Sequence, residues 1–484
     1  MHWIDATLLV VYLIAMLGVG LWFLRRNSDQ DDYYVGGRGM GSTHIGMSVV
    51  ATDVGGGFSI GLGGLGFAMG LSGSWMLFTG LIGAWLAAVL LIPTVFKLGR
   101  DHSLLTYPQV FGSVYSARVA LVAAVISAIG YVGFTASQVL AGAKLASATI
   151  EGLDLTTALV VMGAVAVLYT SMGGMKAVIY TDTVQWILLL VGLIFVGLPI
   201  AYHELGGMAG IREVVRPEML RLDNVGAVEL VNWFFAIVPI WFVGMTLYQR
   251  IYACRNEKTA RRAWFVAGLL EYPVMAFLGV ALGLLGRVAW DEGLFAAAGF
   301  PAHEALDPEM GLPLLLSQLL PVGMMGIMMA AYFSAILSTA DSCLMAASGN
   351  VTTDIFPVRD ERSSRHHLLR SQGFTLGLGA LALVLAASMT SVLDLMLYSY
   401  GFMVSGLLVP TVALLALARP SSRAALGAML AGGGTTTGLI VSSATLPLGL
   451  DANVFGIAVA LVVFVAIQAG DGGFARKPRV ATAS

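Results

Sequence analysis

The sequence predicts an all-α membrane protein with about 13 transmembrane helices, and this prediction rests on composition, on recurring apolar stretches and on the placement of charge. Hydrophobic residues make up 58% of the 484 residues and charged residues only 11%, whereas soluble globular domains have about 25% charged and roughly 45–50% apolar residues. Stretches of about 20 apolar residues, the length that crosses a bilayer as a helix, recur along nearly the whole chain. This composition excludes a soluble enzyme, a disordered chain and a nucleic-acid binder, which would need a clustered basic face.

The predicted spans form a single transmembrane domain over residues 1–484. In chain order they cover residues 4–24, 42–70, 73–97, 115–149, 154–172, 175–203, 227–250, 259–287, 321–350, 370–389, 391–418, 422–446 and 452–469. The first is interpreted as a true span and not as a secretory signal, because Arg25 and Arg26 follow the apolar run and no small-residue cleavage site comes after it. The lipid bilayer is therefore a predicted partner, while no nucleic acid and no obligate protein partner are indicated.

The basic residues predict the orientation of these spans. With the N-terminus outside, 21 of the 26 Lys and Arg residues fall in inner segments and four in outer segments, which agrees with the excess of positive charge found in cytoplasmic loops. An odd number of spans then places the C-terminus inside, with residues 470–484 as a polar cytoplasmic tail. The short loops lead us to expect a multi-pass protein of the bacterial inner (plasma) membrane.

Two spans are predicted to be interrupted. The second carries Asp53 and then three consecutive glycines, residues 55–57, each of which costs about 1 kcal/mol relative to alanine inside a helix. Lipid cannot satisfy freed backbone groups, so broken backbone at this depth must line a cavity or an ion site; close helix packing through small residues is the alternative. The seventh span carries Pro239 and Gly244 near its centre, where a simple proline kink is the alternative.

The spacing of the two interruptions predicts an internal repeat. Spans 2 and 7 are five apart, which is typical of transporters built from two inverted halves with a binding site near the bilayer midplane. Residues 42–203 are interpreted as the first repeat and residues 227–418 as the second. An extra helix, 4–24, precedes them, and C-terminal helices within 422–469 follow.

Ionisable residues at bilayer depth are candidates for function, because a charge there is costly and by default faces the bundle interior. Asp53 lies at the span-2 break, Asp182 near the inner end of span 6 and Asp341 deep in span 9. For Asp182 a helix N-cap is the alternative. We expect Lys144 to extend to the outer interface, and Glu271 to be either a structural partner or a proton carrier.

Span 9 carries a polar face suited to a monovalent cation. Ala335, Ser338, Thr339 and Ser342 fall at i, i+3, i+4 and i+7, on one side of a helix, and Asp341 flanks that side. Hydroxyl and carbonyl oxygens can surround a small hard cation without a large desolvation cost. The alternative is that the hydroxyls bond back to their own helix or join two helices.

Four segments of the chain resemble the sodium/solute symporter family. They are DDYYVGGRGMG before span 2, ATDVGGG at the span-2 break, LYTSMGGMKAVIYTDTVQ leading into span 6, and FSAILSTADSCLMAASGNVTTDIF in span 9. The resemblance covers essentially the whole chain. It implies a LeuT-type fold with a five-plus-five inverted repeat, and sodium-coupled uptake of a small solute by alternating access.

The resemblance also implies where sodium would bind. The main site would lie where spans 2 and 9 cross. Its ligands would be the backbone carbonyls of Ala51, Val54 and Ala335 and the hydroxyls of Ser338 and Thr339. This set coincides with the polar face found from helical spacing.

Two further implications of the resemblance concern a second ion and the solute. Some family members hold a second sodium near the aspartate of the TDTVQ segment, for which the candidates here are Asp182, Asp341 and Ser342. Parts of the chain resemble both the proline-transporter and the choline-transporter branches. The choline branch encloses its ligand with tryptophans, and Asp53 and Gly244 stand in place of two of them, which argues against choline.

The solute pocket is predicted from residue type and depth. Its candidates are Asp53, Phe58, Phe78, Phe134, Gln138, Trp241 and Tyr398. A carboxylate among aromatic rings indicates a small solute that bears an amine, such as an amino acid or a betaine-like compound.

The predicted function is sodium-coupled symport of a small organic solute, with Na⁺ as the coupling ion. The alternatives are proton coupling on the same fold, with Asp341 or Glu271 as the carrier, and a non-transporting sensor or channel. An enzyme is not predicted, because the sequence has no Walker loop, no HExxH and no His/Cys cluster with metal-ligand spacing.

Overall fold

A computed structural model describes residues 2–24, 35–173, 175–302, 305–357, 364–471 and 473–475. Within these ranges the regular structure is helical, apart from one isolated bridge between Met40 and Cys254. An all-α chain is therefore confirmed for the described residues.

The described helices fall into two groups along the chain. The first half contains α1 (Trp3–Leu24), α2 (Ser42–Asp53), α3 (Gly55–Met69), α4 (Trp75–Leu90), α5 (Ile92–Asp101), α6 (Tyr107–Val114), α7 (Ala117–Thr149), α8 (Leu155–Gly173), α9 (Met175–Gly192), α10 (Leu198–Glu204) and α11 (Gly207–Val214). The second half contains α12 (Ala227–Val243), α13 (Met245–Ala253), α14 (Glu257–Leu269), α15 (Ala276–Asp291), α16 (Pro308–Leu319), α17 (Met324–Gly349), α18 (Ser364–Ala387), α19 (Val392–Ala416), α20 (Ser422–Val441) and α21 (Ala452–Asp471). Short π-helical turns follow α9, α14 and α17, at Leu193–Gly197, Leu270–Met275 and Asn350–Ile355.

Many of these helices are membrane spans by length and composition. Among the described residues, nine helical stretches are long and apolar enough to cross a bilayer, and the bent pair α12–α13 would make a tenth. Shorter apolar stretches lie in α1 (Trp3–Ala15) and α8 (Leu155–Leu168). One of the nine, Ser59–Leu90, runs through the boundary between predicted spans 42–70 and 73–97. A span count of 13, and the orientation of the termini, therefore stay predictions.

The second predicted span is broken where the glycine run begins. α2 ends at Asp53 and α3 begins at Gly55, with Val54 between them. Gly55 has φ +46°, a left-handed value that residues with a side chain rarely adopt. A Cβ at this position would also collide with the Thr339 side chain of α17, so glycine is required by both conformation and space.

The seventh predicted span is bent by 42° between α12 and α13. The bend falls at Gly244, whereas Pro239 lies inside the continuous helix α12. The simple proline kink is therefore wrong as the origin of this bend. The hydroxyl of Tyr131 on α7 accepts a hydrogen bond from the amide of Thr246 at 3.2 Å, so the freed N-terminus of α13 finds a partner inside the protein.

Helix α17 lies at the centre of the bundle and is buried along nearly its whole length. It packs against α2 and α3 on either side of the first break, and against α7, α9 and α13. The polar residues predicted on span 9 therefore face other helices and not the exterior.

Candidate functional site

The break in the second span contacts the polar face of α17 directly. The hydroxyl of Thr339 donates to the carbonyl oxygen of Ala51 at 2.9 Å and to that of Ala335 at 3.1 Å. All three residues, and Val54 at the break itself, are buried. Carbonyl and hydroxyl oxygens from two crossing helices are thus gathered at one point.

A small cavity lies beside this contact. It has room of about 10 Å³ for the centre of a water-sized sphere, which corresponds to about one water molecule. Its lining residues come from α2, α3, α9, α17 and the π turn after α14; they are Ala51, Gly55, Gln185, Trp186, Leu189, Met275, Ala335 and Ser338. Three of the five predicted sodium ligands, Ala51, Ala335 and Ser338, therefore line a cavity the size of about one water molecule.

Asp182 joins this site to the neighbouring helices. Its carboxylate is fully buried and accepts hydrogen bonds from the hydroxyls of Ser338 on α17 and Ser48 on α2. Asp182 lies inside α9, so it is not the helix N-cap that the sequence left open. The predicted aspartate and the predicted hydroxyl are thus in contact.

Arg250 is the principal residue that the sequence reasoning missed, because it ends the predicted span 227–250 and no function was predicted for it. Its guanidinium is 0% exposed and donates to Asp182 at 3.2 Å, to Ser342 at 3.0 Å and to Ser48 at 2.9 Å. It also donates to the hydroxyl of Thr52. One side chain from α13 therefore binds groups on α2, α9 and α17. The signal that could have found it is the need of the buried Asp182 for a counter-charge.

Two of the three second-sodium candidates meet at Arg250, and the third, Asp341, interacts with Asp182 only through space. Asp182 and Ser342 both bind the Arg250 guanidinium. Asp341 is buried but faces α8, where it interacts with Thr170. Asp341 is therefore separated from the Arg250 contacts, because neighbouring positions on a helix point in directions about 100° apart.

Lys144 does not extend to an interface as expected. It is 2% exposed and forms ion pairs with Asp307 at 2.6 Å and Glu309 at 2.5 Å. Glu309 also accepts hydrogen bonds from the amides of Val392 and Leu393 at 2.9 Å each. The expectation was wrong because the cation is itself buried and pairs with the buried Glu309 as well as with the exposed Asp307, so that the cluster joins α7, α16 and the start of α19.

Asp53 faces a second carboxylate. Glu271, in the π turn Leu270–Met275, interacts with Asp53, and both side chains are buried. The hydroxyl of Tyr400 on α19 reaches Asp53 Oδ1 at 3.5 Å. Tyr400 packs edge to face against Phe134, with ring centroids 5.0 Å apart. Asp53 and Phe134 thus both contact Tyr400.

The other residues predicted for the solute pocket lie at several different places. Gln138 is fully buried one helical turn beyond Phe134, within 3.9 Å of the sulfur of Met396. Phe78 is half-buried and packs edge to face on Tyr272, the residue after Glu271, at 5.1 Å. Trp241 is fully buried beside Trp264. The structure does not describe the side chain of Phe58.

Tyr398 is not part of this region. It is 46% exposed, whereas Tyr400, two positions later, is buried against Asp53. Two residues turn a helix by about 200°, so the two tyrosines face opposite sides of α19. The structure therefore places Tyr400, and not the predicted Tyr398, beside Asp53.

A buried, twice-interrupted bundle with a water-sized cavity at a helix break is typical of multi-pass membrane transporters. The profile of the Sodium:solute symporter family matches residues 33–432. The chain belongs to this family, and it is a membrane protein, not an enzyme.

Relatives in this family are named after different solutes. The osmoregulated proline transporter OpuE of Bacillus subtilis is 28% identical over 459 residues, which cover 90% of this chain and 89% of that protein. Sodium/glucose cotransporter 1 of Ovis aries is 24% identical over 84% of this chain, and the match spans 66% of that longer protein. Sodium/myo-inositol cotransporter 2 of Mus musculus is 27% identical over 85% of this chain.

Solved structures agree with the fold. A Na⁺-coupled sialic acid symporter, in a substrate-bound outward-open state, superposes with a TM-score of 0.78 at 20% identity, covering 98% of this chain and 99% of that one. The nucleobase-cation-symport-1 family transporter Mhp1 has a TM-score of 0.56 at 14% identity, covering 91% of this chain. At these identities the likeness concerns the fold alone.

Proposed function

We propose that this protein is a secondary active transporter that carries a small organic solute, of the amino-acid or amine type, into the cell together with Na⁺ by alternating access. Membership of a sodium:solute symporter family supports the coupling ion. The observation that carries the proposal is the water-sized cavity at the break of the second span, whose lining includes Ala51, Gly55, Ala335 and Ser338.

The proposed sodium ligands are the carbonyls of Ala51, Val54 and Ala335 and the hydroxyls of Ser338 and Thr339. A cation there would draw on lone pairs of two helices that are already joined by the hydrogen bond from the Thr339 hydroxyl to the Ala51 carbonyl. Sodium would therefore hold α17 against the break between α2 and α3. Because the solute region begins at Asp53, between two of the proposed ligands, ordering of this segment would favour solute binding.

The contacts of Asp182 support a route by which the ion site affects the second interrupted helix. Ser338 lines the cavity and donates to Asp182, and Asp182 pairs with Arg250 on α13. A change at the cavity would thus alter the contacts of both interrupted helices. Binding of sodium and of solute would raise each other's affinity by the same factor.

We propose one sodium ion for each solute. The groups suggested for a second sodium are Asp182, Asp341 and Ser342, and the Arg250 guanidinium already provides a positive charge to two of them. A second cation beside Arg250 would meet electrostatic repulsion in a buried site.

We also propose that the chain crosses the membrane 13 times, with its N-terminus outside and its C-terminus inside.

The experiment is solute uptake into proteoliposomes under an inward gradient of Na⁺ or K⁺ at equal ionic strength and fixed pH. Uptake that needs Na⁺ and persists without a proton gradient is the expected result. Uptake that follows the proton gradient and ignores Na⁺ would replace sodium coupling with proton coupling. Thermal unfolding of the purified protein in NaCl and KCl gives a second readout, because an ion that binds the folded state raises Tm.

A further inference from the structure

Helix α1 precedes the two predicted repeats, and it runs beside α17, which carries the polar face of the proposed ion site. It packs against α17, α8 and α9. Asp5 contacts the start of α17 at Gly323 and Gly326. Further along both helices, Tyr12 contacts Ser334. The contacts advance in the same direction on both helices, so α1 and α17 lie parallel over about two turns.

Asp5 caps the first turn of α17. Its Oδ1 accepts hydrogen bonds from the backbone amides of Gly323 and Gly326, at 2.7 Å each, and the residue is 2% exposed. Gly323 occupies the N-cap position of α17 and has no side chain that could accept these bonds. A Cβ at Gly326 would lie 2.6 Å from the Cα of Asp5. The start of α17 is therefore held by a side chain of α1, at a contact where only glycine fits.

Tyr12 joins α17 to α9 through its hydroxyl group. The hydroxyl donates to Ser334 on α17 and accepts from Nε2 of Gln185 on α9 at 3.3 Å. A phenol has one proton to donate and lone pairs to accept, so it can make both bonds at once. Ser334 and Gln185 are buried. A helix outside the predicted repeats therefore links one helix of the first repeat to one of the second.

The Tyr12 link lies one helical turn from the link that Asp182 makes between the same two helices. Ser334 precedes Ser338 by four positions, and Gln185 follows Asp182 by three, so each pair shares one side of its helix. Ser338 donates to Asp182. Ser338 and Gln185 both line the water-sized cavity at the helix break. Each of the two links between α9 and α17 thus includes a residue of the cavity wall.

We propose that α1 is part of the ion-binding machinery, and that Tyr12 is a positioning residue for the sodium site. This inference rests on the proposed function and adds to it a helix outside the two repeats. Ala335, whose carbonyl is a proposed ligand, directly follows Ser334 in the chain. Tyr12 therefore fixes the backbone of α17 next to a ligand, and it fixes α9 at the opposite wall of the cavity. Its hydroxyl acts through these groups and does not itself bind the ion.

The size of the cavity gives this role a measurable consequence. A site of about one water volume distinguishes alkali cations by the number and arrangement of the oxygens around them. Without the Tyr12 hydroxyl, α9 and α17 lose one of the two links beside the cavity, and the distance between them is less firmly set. Sodium should then bind more weakly. Discrimination against the smaller Li⁺ and the larger K⁺ should decrease as well.

The test follows the Tm of the purified full-length protein during titrations with NaCl, LiCl and KCl, at an ionic strength kept constant with N-methylglucamine chloride. Tyr12→Phe removes the hydroxyl and keeps the ring. We expect the half-saturating sodium concentration to rise about 2- to 10-fold, which corresponds to one lost hydrogen bond. The half-saturating concentrations for Li⁺ and K⁺ should move closer to that for Na⁺.

Tyr115→Phe is the matched control for the lost hydroxyl. The Tyr115 hydroxyl donates to the carbonyl of Pro410 on α19 at 2.7 Å, so this variant also loses a bond between two segments, and Tyr115 does not line the cavity. It should lower Tm and leave the half-saturating sodium concentration unchanged, because loss of stability alone does not alter ion affinity.

Two further variants test the same contacts independently. Ser334→Ala breaks the Tyr12 link from the side of α17, and the double variant Tyr12→Phe/Ser334→Ala should weaken sodium binding no more than the stronger single variant does. Asp5→Ala removes the cap of α17 and should weaken sodium binding too. Asp5→Asn keeps an acceptor oxygen and should restore most of the wild-type affinity.

The outcomes separate this inference from the proposed function. If the wild type shows a sodium-specific rise in Tm, and Tyr12→Phe and Ser334→Ala keep its half-saturating concentrations for all three ions, the inference is overturned and the proposed function stands. Equal changes in Tyr12→Phe and Tyr115→Phe would overturn it as well. A wild type without any sodium-specific rise in Tm would contradict the proposed function, and the inference with it.

Discussion

Arg250 and Asp182 form an ion pair at 3.2 Å in which both side chains are completely excluded from solvent. They come from α13 and α9, one from each predicted repeat. The pair is surrounded by hydroxyl groups of Ser48, Ser338 and Ser342, which satisfy the remaining acceptors and donors. It therefore joins the two halves of the bundle beside the proposed sodium site.

Removing Arg250 should destabilise the protein strongly. Arg250→Met leaves the carboxylate of Asp182 buried without a counter-charge, which costs about 3–5 kcal/mol in comparable cases. Adding Asp182→Asn should restore much of the loss, because no buried charge is then left unpaired. Thermal unfolding of the two single variants and the double variant measures this coupling. If the loss of stability in the double variant equals the sum of the losses in the two single variants, the pair contributes no interaction energy.

Transport should carry one sodium ion per solute, because Arg250 occupies the polar groups that a second ion would use. The reversal potential of solute-coupled current in proteoliposomes, measured at several sodium gradients, gives the ratio directly. A ratio of two sodium ions would contradict the role assigned to Arg250. It would also return Asp182, Asp341 and Ser342 to consideration as ligands.

Loss of either proposed hydroxyl ligand should weaken sodium binding. Ser338→Ala and Thr339→Ala each remove one oxygen from the site, and we expect the half-saturating sodium concentration to rise about 10-fold or more, the effect of roughly 1.4 kcal/mol. The affinity for the solute, measured at a fixed sodium concentration, should fall as well, since the coupling between sodium and solute binding is reciprocal. Ser348→Ala is the control, because this hydroxyl lies on the same helix and bonds to the backbone of Ser371. Equal effects of all three variants would indicate a general loss of packing.

Gly55→Ala should disturb the helix break. A left-handed φ costs an alanine about 1 kcal/mol or more, and the new methyl group would collide with Thr339. We expect a lower Tm and weaker sodium binding together. Gly434→Ala is the matched control, since it lies in α20 with open space around it and should be neutral or slightly stabilising. A Gly55→Ala variant with normal stability and sodium response would show that the break does not need this conformation.

The buried cluster around Lys144 should contribute to stability and not to sodium affinity. Lys144→Met leaves Glu309 buried with two amide donors but no cation, so we expect a loss of about 3 kcal/mol or more. Sodium titrations monitored by Tm should give the same half-saturating concentration as in the wild type. A changed concentration would mean that this cluster is coupled to the ion site.

Several features of the site were accessible from the sequence. The glycine run after Asp53 predicted the break in the second span, because glycines at bilayer depth weaken a helix locally. The spacing of Ala335, Ser338 and Thr339 predicted a shared face, because helical periodicity is a local property. These predictions needed only neighbouring residues.

Other features depend on which helices meet. The sequence left open whether the seventh span is interrupted or is only kinked at Pro239. The chain bends at Gly244, where Tyr131 of another helix supplies a partner for the backbone. Tyr398 and Tyr400 differ by two positions, and their assignment depends on the rotation of α19 within the bundle. Neither outcome can be read from local spacing.

The sequence by itself determined the class of protein, the approximate positions of the spans, the first helix break and the hydroxyl face, because composition and periodicity act along the chain. The tertiary structure alone decided the partners of the buried charges. Arg250 lies 68 residues from Asp182 and Glu271 lies far along the chain from Asp53, so only the packing of helices brings these groups together. Once buried, charges are so costly that their partners decide what the site can bind.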